Sequence, residues 1–294
     1  MSKPKGLALI RKSDETHWVG DGFPVRTMFG YHDSRFDMSP FLLLDYAGPA
    51  EFPPTKERLG VEEHPHRGFE TVTIVYSGEV EHRDSSGGGG KIGPGDVQWM
   101  TAASGVVHEE FHGVDFAKNG GVFQMVQLWV NLPKKDKMTS PRYQTLTKSQ
   151  IKNVDLKNGA GVVRVIAGEF AGVKGPAHTF SPVNLWDIRL NKNATVDLKL
   201  PEGHTTAILN LNGKVALSDG EKINEAELAV FNRTGEVITL KTEEPAMLLL
   251  LAGEPINEPV VGSGPFVMNS MEEIERAYSD YHQGRMGKIA PQST

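Results

Sequence analysis

The sequence predicts an all-β protein with two tandem β-barrel domains and a helix near its C-terminus. Short runs rich in β-branched and aromatic residues, each closed by Gly, Pro, Asn or Asp, recur in both halves of the chain. Many short strands with frequent turn signals are typical of sandwiches and barrels. A polar segment separates the two groups of runs, and one amphipathic pattern stands near the end. We therefore expect two β-domains followed by a helix.

The strand runs and the segment between them suggest where the domains divide. The first half contains TVTIVYSGEVEHRD and FQMVQLWVNLP, and the second contains AGVVRVIAGEF, VNLWDIRLN and AMLLLLAGEP. The intervening residues 131–151 are polar and include two prolines, as expected of a connector. We accordingly expect an N-terminal domain of residues 1–135 and a C-terminal domain of residues 136–294 that includes the helix.

The helix is predicted from the stretch NSMEEIERAYSDYHQG. Ser270 and Glu273 have the spacing of a capping box, in which each side chain satisfies a free backbone N–H at the start of a helix. Gly284 then provides a stop signal. The apolar positions that recur with helical spacing are Ile274, Ala277, Tyr278 and Tyr281. This face indicates a helix that packs against a β-domain.

Composition limits the possible functions. The 294 residues carry a net charge of -6, without a long run of either sign, which argues against a non-specific grip on nucleic acid or on an anionic membrane. The chain has no cysteine, so a metal ion would have to be bound by histidine, carboxylate or backbone oxygen. The apolar runs are too short for a secretory leader or a membrane span. We expect a cytoplasmic protein, and a monomer.

The stretch GVVHEEFHG, residues 105–113, allows two interpretations. On a helix, His108 and His112 would form the H-E-x-x-H motif of zinc proteases, with Glu109 as the base. On a strand, side chains alternate, so Glu110 would share a face with the two histidines while Glu109 points the other way. The flanking glycines and the two preceding valines favour the strand.

A second pair of histidines supports the strand interpretation. His64 and His66 are two residues apart, so an extended chain directs both imidazoles to one face. Together with His108 and Glu110, they offer three nitrogens and one carboxylate from two strands. This donor set suits a divalent transition metal with open coordination positions, and Fe(II) with oxygen chemistry is favoured over zinc hydrolysis.

These motifs also resemble those of a known family. HPHRGFE followed by PGDVQWMTAASGVVHEE resembles the two cupin motifs in the form found in pirins, and the resemblance continues through MSPFLLLDYAGP, VQLWVNLP, GPFVMNS and AYSDYHQGRMGKI. It implies a bicupin with a metal only in the N-terminal domain. By that resemblance the ligands are His64, His66, His108 and Glu110. Glu70 stands where many other cupins have their carboxylate ligand, and we expect it to orient a ligand histidine.

The resemblance further implies an enzyme of the quercetin 2,3-dioxygenase type, which opens a flavonol ring with O2. Glu110 would then be both a ligand and the base that takes the substrate's hydroxyl proton. One divalent metal per chain is expected, Fe(II) in the active form, although Zn, Ni, Mn or Cu can be present as isolated. The alternative is an iron-dependent redox-sensing regulator that binds a transcription factor or a metabolic enzyme. The acidic charge balance favours such a protein partner over direct DNA contact.

Overall fold

The computed structural model describes residues 3–33 and 37–291 and consists mainly of antiparallel β-strands. In the first half of the chain the strands are β1 (Leu7–Lys12), β2 (His17–Val19), β3 (Phe23–Gly30), β4 (Phe41–Phe52), β5 (Gly60–His66), β6 (Phe69–Ser77), β7 (Val80–Asp84), β8 (Gly89–Ile92), β9 (Val97–Thr101), β10 (Val106–His112), β11 (Gly121–Asn131) and β12 (Arg142–Leu146). In the second half they are β13 (Lys152–Asp155), β14 (Gly161–Ala167), β15 (Glu169–Phe170), β16 (Val173–Lys174), β17 (Val183–Leu190), β18 (Thr195–Lys199), β19 (Thr205–Asn212), β20 (Val215–Leu217), β21 (Lys222–Ile223), β22 (Glu227–Phe231), β23 (Val237–Thr242), β24 (Ala246–Gly253), β25 (Val261–Ser263) and β26 (Phe266–Met268). The α-helices are α1 (Val114–Asn119) and α2 (Met271–His282), and 3-10 turns occupy Lys134–Asp136 and Lys157–Gly159.

The chain divides into two compact units that are interleaved in sequence. The first unit consists of the segment that ends at Asp14, of Met38–Pro40 and of Ser149–Pro255. The second consists of the segment that begins at Glu15, of Phe41–Lys148 and of the segment that begins at Ile256. The two halves of the chain thus each supply one unit, but the first strand and the last helix join the unit of the other half. The expected boundary between residues 135 and 136 stays a prediction.

The second unit contains two antiparallel sheets that enclose an interior. One sheet has seven strands in the order β12-β9-β6-β11-β4-β3-β2, and the other has four in the order β5-β10-β7-β8. Hydrogen bonds from Thr73 on β6 and Gln98 on β9 reach Glu110 on β10, so the two sheets face each other across this interior. An aromatic and aliphatic cluster that includes Phe23, Phe116 and Phe123 forms one buried core in this unit.

The first unit has the same layout with a different interior. Its seven-stranded sheet has the order β1-β22-β19-β24-β17-β14-β13, and its four-stranded sheet has the order β18-β23-β20-β21. Continuous apolar runs such as MLLLL on β24 form central strands that are buried on both faces. Buried apolar side chains, among them Trp186, Ile188 and Leu250, pack into one large core inside this unit. The all-β prediction with two β-domains is confirmed.

A sharp turn between β5 and β6 carries the chain from one sheet of the second unit to the other. Gly68 at this turn has a φ of 93°, a conformation that favours glycine, and a Cβ there would collide with the carbonyl oxygen of Val267. Strand β5 therefore ends in the four-stranded sheet, and β6 begins in the seven-stranded sheet. The alternation of side chains along β5 is not carried over into β6.

Helix α2 begins and packs as the sequence predicts. The Ser270 hydroxyl accepts a hydrogen bond from the Glu273 N–H, and the Glu273 carboxylate accepts one from the Asn269 N–H. Ile274 and Ala277 are buried beside Phe266 within the second unit. By its contacts the helix lies in the compact unit that contains residues 41–148, and its membership of a C-terminal domain of residues 136–294 stays a prediction. Among the residues that the structure describes, no helix is long and apolar enough to cross a membrane.

Candidate metal centre

Residues 106–112 form strand β10, which lies between β5 and β7 in the four-stranded sheet. His108 is opposite His64 on β5 and opposite Asp84 on β7. Glu110 is opposite His82 on β7. The strand interpretation of this stretch is confirmed, because a helix would be needed for a zinc-protease motif.

Three of the predicted ligand residues form a compact histidine cluster. The ring centroid of His64 lies 4.2 Å from that of His108, and His66 lies 4.8 Å from His108 and 4.9 Å from His64. One nitrogen from each ring lies within 4.8 Å of one from each of the others, so the three can hold a metal ion together. The structure thus brings the His64/His66 pair together with His108, whereas His112, which shares a strand face with His108, is not part of this cluster.

Glu110 belongs to a second group of possible metal ligands, which shares His108 with the histidine cluster. Its carboxylate, His108 and His82 offer ligand atoms within 4.8 Å of one another. The Oε1 atom of Glu110 lies 3.3 Å from both the Gln98 Nε2 and the Thr73 Oγ1, each of which can donate a hydrogen bond. His108 therefore belongs to both groups. The four-residue ligand set stays a prediction.

His82 is the residue that sequence reasoning missed. Its side chain is fully buried, and its Nδ1 lies 3.3 Å from the Nδ1 of His108. Its Nε2 lies 3.2 Å from Asp84 Oδ2, and its ring stacks on that of Tyr143 at 5.0 Å. The spacing of His82 and Asp84 in VEHRD, two apart on one strand face, is the signal that could have identified this pair.

The hydrogen bonds at the ring nitrogens leave donor atoms available for a metal. The Nδ1 of His64 lies 2.8 Å from the carbonyl oxygen of Glu62, and the Nδ1 of His66 lies 3.3 Å from that of Pro265. A carbonyl only accepts, so both Nδ1 atoms carry the proton and both Nε2 atoms have a free lone pair. The Nε2 of His108 is buried without a hydrogen-bond partner.

These features fit a divalent metal ion. Burial, reinforced by the neighbouring histidines, lowers the pKa of His66 and of His108 well below the ordinary value, which keeps both rings neutral and able to bind a cation. An orphaned buried nitrogen is costly, and a metal ion would satisfy it. The nitrogen and oxygen donors are those that Fe, Zn, Ni, Cu and Mn accept.

Glu109 points away from the cluster, as strand alternation predicts. Its Oε1 lies 2.8 Å from Arg58 Nη2 and 2.6 Å from Arg83 Nη2. Burial opposes its ionisation, but the two guanidinium groups outweigh burial and lower the pKa of Glu109. The Oε1 atom of Glu109 is therefore paired with two arginines, and Glu109 is not a candidate ligand.

Glu70 does not take the place that we expected. Because β6 belongs to the seven-stranded sheet, Glu70 accepts a hydrogen bond of 2.7 Å from the Thr101 hydroxyl, and it lies 3.9 Å from Arg142. Burial raises its pKa to about 7, against the opposing effect of the Thr101 hydrogen bond. Its side-chain contacts are with these residues and not with a ligand histidine, so its proposed orienting role has no support.

A cavity of about 190 Å³ opens beside the cluster within the second unit. Three of the predicted ligand residues form one part of its wall, and apolar side chains form most of the remainder. Its lining consists of Val19, Phe23, Val25, Asp45, Val61, His64, His66, Glu110, Met125, Gln127 and Trp129. A few convergent polar groups in an otherwise apolar cavity are typical of a small-molecule site.

Comparison with known proteins assigns the family. The model of the pirin family matches residues 22–130, and that of the pirin C-terminal cupin domain matches residues 185–287. A Pseudomonas aeruginosa protein with the provisional name quercetin 2,3-dioxygenase is 56% identical over 92% of this chain and 94% of its own length. Mouse pirin is 37% identical over 91% of this chain and 89% of its own length.

A solved structure agrees with these matches. The crystal structure of a quercetin 2,3-dioxygenase from Acinetobacter baumannii superposes with a TM-score of 0.94 at 50% identity, covering 98% of this chain and all of that chain. The predicted two-cupin fold is thereby confirmed, and so is the resemblance based on the two histidine motifs. With both family models matched and with relatives of this similarity, the chain belongs to the pirin family.

Proposed function

We propose that this protein is a metal-dependent dioxygenase of the quercetin 2,3-dioxygenase type. The observation that carries the proposal is the cavity itself, where two imidazoles of the histidine cluster and Glu110 meet apolar walls. The names of the Pseudomonas and Acinetobacter relatives support the reaction class. In that reaction a flavonol ring is opened, both atoms of O2 are inserted and carbon monoxide is lost.

We further propose that His64, His66, His108 and Glu110 bind one divalent ion, with Fe(II) in the active form. The three imidazoles provide a neutral nitrogen face, and the carboxylate provides the only negative charge of the set. When bound, such an ion supplies Lewis acidity and one-electron chemistry with dioxygen. Because affinity for these donors does not favour Fe(II), other divalent metals can occupy the site in purified protein.

Glu110 is proposed as the catalytic base. The hydrogen bonds from Gln98 and Thr73 both reach its Oε1, so they orient the carboxylate and leave Oε2 for the metal and the substrate. A carboxylate held in this way can take the proton of the flavonol's 3-hydroxyl group. The Thr73 hydroxyl also lies 2.6 Å from Gln127 Oε1, so its single proton is shared between two acceptors.

The apolar walls of the cavity are proposed to bind the substrate. Phe23, Val61, Met125 and Trp129 line it and can pack against the faces of an aromatic substrate. They also reduce the access of water, which strengthens the electrostatic effect of the base and of the metal charge. The combination of apolar walls with a polar end that carries His64, His66 and Glu110 supports the proposal of an aromatic substrate with a chelating oxygen group.

The test is turnover of quercetin by iron-loaded protein, followed as oxygen consumption and carbon monoxide release. Replacing Glu110 by Gln should reduce the rate by about a hundredfold to ten-thousandfold, the usual cost of losing a general base, while three imidazoles retain the metal. Glu109→Gln is the matched control, because the neighbouring carboxylate faces the two arginines and should leave turnover largely intact. Loss of activity in Glu109→Gln with a fully active Glu110→Gln would contradict this assignment.

A regulatory function remains the alternative, since the chain also belongs to the family of mouse pirin. An iron-dependent redox sensor that binds a transcription factor or a metabolic enzyme would use the same four ligands but would need no base. Flavonol turnover at background level in the metal-loaded wild-type protein, with metal-dependent partner binding that survives Glu110→Gln, would favour this alternative.

A further inference from the structure

We propose that His82 and Asp84 are positioning residues that hold the proton of His108 on Nδ1 and so keep Nε2 available for a metal ion. The inference rests on the proposed metal centre, but it concerns the hydrogen bonds of the chain itself. A metal-bound imidazole can use only the nitrogen that lacks a proton, so whatever selects the tautomer decides whether the residue can be a ligand.

The other two histidines of the cluster have an unambiguous tautomer. His64 and His66 each place Nδ1 against a backbone carbonyl oxygen, at 2.8 Å and 3.3 Å. Carbonyl oxygens cannot donate, so these rings must donate from Nδ1. His108 differs, because its Nδ1 lies 3.3 Å from the Nδ1 of another imidazole, which can either accept or donate. The contact between His82 and His108 alone leaves the direction of this hydrogen bond open.

The next group in the chain of contacts decides that direction. The Nε2 of His82 lies 3.2 Å from Asp84 Oδ2, and an ionised carboxylate only accepts. In its neutral form, His82 therefore donates from Nε2 and has its lone pair on Nδ1. His108 must then donate from its own Nδ1 and leave Nε2 without a proton. This is the same Nε2 that is buried without a partner.

Both positioning residues are held firmly. The Oδ1 of Asp84 accepts hydrogen bonds from the Ser86 N–H at 2.8 Å, the Ser86 hydroxyl at 2.7 Å and the Gly88 N–H at 2.9 Å, which leaves Oδ2 for His82. The ring of His82 stacks at 14° on Tyr143. Both side chains are fully buried, so water does not compete for these contacts. The turn after β7 thus holds the Asp84 carboxylate in place, and Asp84 influences His108 through the imidazole of His82.

Two substitutions and one control separate this role from a merely structural one. Asp84→Asn keeps an oxygen for the turn but replaces the acceptor-only Oδ2 by an amide that can donate to His82 and reverse the chain of hydrogen bonds. His82→Gln removes the intermediate imidazole. His112→Gln removes another buried histidine of strand β10, one that contacts the Gly22 carbonyl oxygen at 2.8 Å and lies outside the cluster.

The first readout is the tautomer of His108 in the metal-free protein, measured by long-range ¹H–¹⁵N correlation spectra. The second is the zinc dissociation constant, measured by competition with a chromogenic chelator. We expect an Nδ1-protonated His108 in the wild type and in His112→Gln. In Asp84→Asn and His82→Gln we expect a population protonated at Nε2, together with zinc affinity that is weaker by about tenfold to a hundredfold.

The proposal is overturned if His108 carries its proton on Nε2 in the wild type, which can be seen even if no variant folds. It is also overturned if both variants retain the Nδ1 tautomer and wild-type zinc affinity, or if zinc loading shifts the ¹⁵N resonances of His82 as a direct ligand. None of these readouts requires turnover. A wild-type protein with the expected tautomer and zinc affinity but without flavonol oxidation would therefore contradict the proposed function alone.

Discussion

The buried carboxyl of Glu70 makes a quantitative prediction about stability. Glu70 is 1% exposed, and burial raises its pKa from an ordinary value of 4.5 to about 7. Because the pKa in the folded state lies above that in the unfolded state, the stabilising contribution of the protonated form is fully present below about pH 4.5. It is lost as the pH rises through about 7. At about 1.4 kcal/mol per pKa unit, the full loss is about 3 to 4 kcal/mol.

Glu70→Gln tests this value directly. Glutamine has no charge at any pH, and its Oε1 can still accept the hydrogen bond from the Thr101 hydroxyl. The free energy of unfolding of the variant relative to that of the wild type should therefore increase by about 2 to 3 kcal/mol as the pH rises from roughly 5 to 8. Urea unfolding of both metal-free proteins, followed by circular dichroism, measures the difference at each pH and cancels the effects of other titrating groups.

A matched variant controls for the simple loss of a negative charge. Glu63 lies on β5 in the same unit, but its side chain is exposed. Glu63→Gln removes one negative charge from the surface of the same unit, so it measures the effect of charge loss without the loss of a buried carboxyl. A stability difference for Glu70→Gln that stays constant from about pH 5 to pH 8 would refute the reasoning from burial.

Three further predictions concern the metal and the supporting structure. Elemental analysis should find one divalent transition metal per chain. The double substitution His64→Ala and His66→Ala should abolish metal binding. Two tightly bound ions per chain would contradict the single site. Asp280→Asn should destabilise the protein by about 3 kcal/mol in thermal unfolding, because the buried Arg67 guanidinium, 2.9 Å from Asp280 Oδ2, would lose its carboxylate. Ser270→Ala should cost about 1 kcal/mol by removing the cap of α2, and an unchanged unfolding temperature would exclude that contribution.

Local sequence patterns predicted much of the candidate site. In an extended chain successive side chains point to opposite faces, and this rule alone separated Glu110 from Glu109. The structure bears out that separation, with Glu110 against Thr73 and Glu109 against arginines. Helix α2 could be predicted from the sequence equally well, because its capping residues and its apolar stripe lie within one short stretch.

The contribution of His82 could not be derived in this way. It reaches the cluster because β7 pairs with β10, which places it opposite Glu110 and places Asp84 opposite His108. Pairing between strands that are distant in sequence depends on the register of the whole sheet, and no local pattern specifies it. The His-x-Asp spacing was visible in the sequence, but its neighbour across the sheet was not.

The sequence by itself therefore determined the β-class, the terminal helix and the faces of β5 and β10, because each depends on the conformation of a few consecutive residues. The tertiary structure decided where those faces meet. It also placed Glu70 outside the cluster, because the turn at Gly68 transfers the chain to the opposite sheet and ends the alternation that relates Glu70 to His66. Likewise, helix α2 packs in the unit of residues 41–148, since burial of its apolar face depends on contacts far away in sequence.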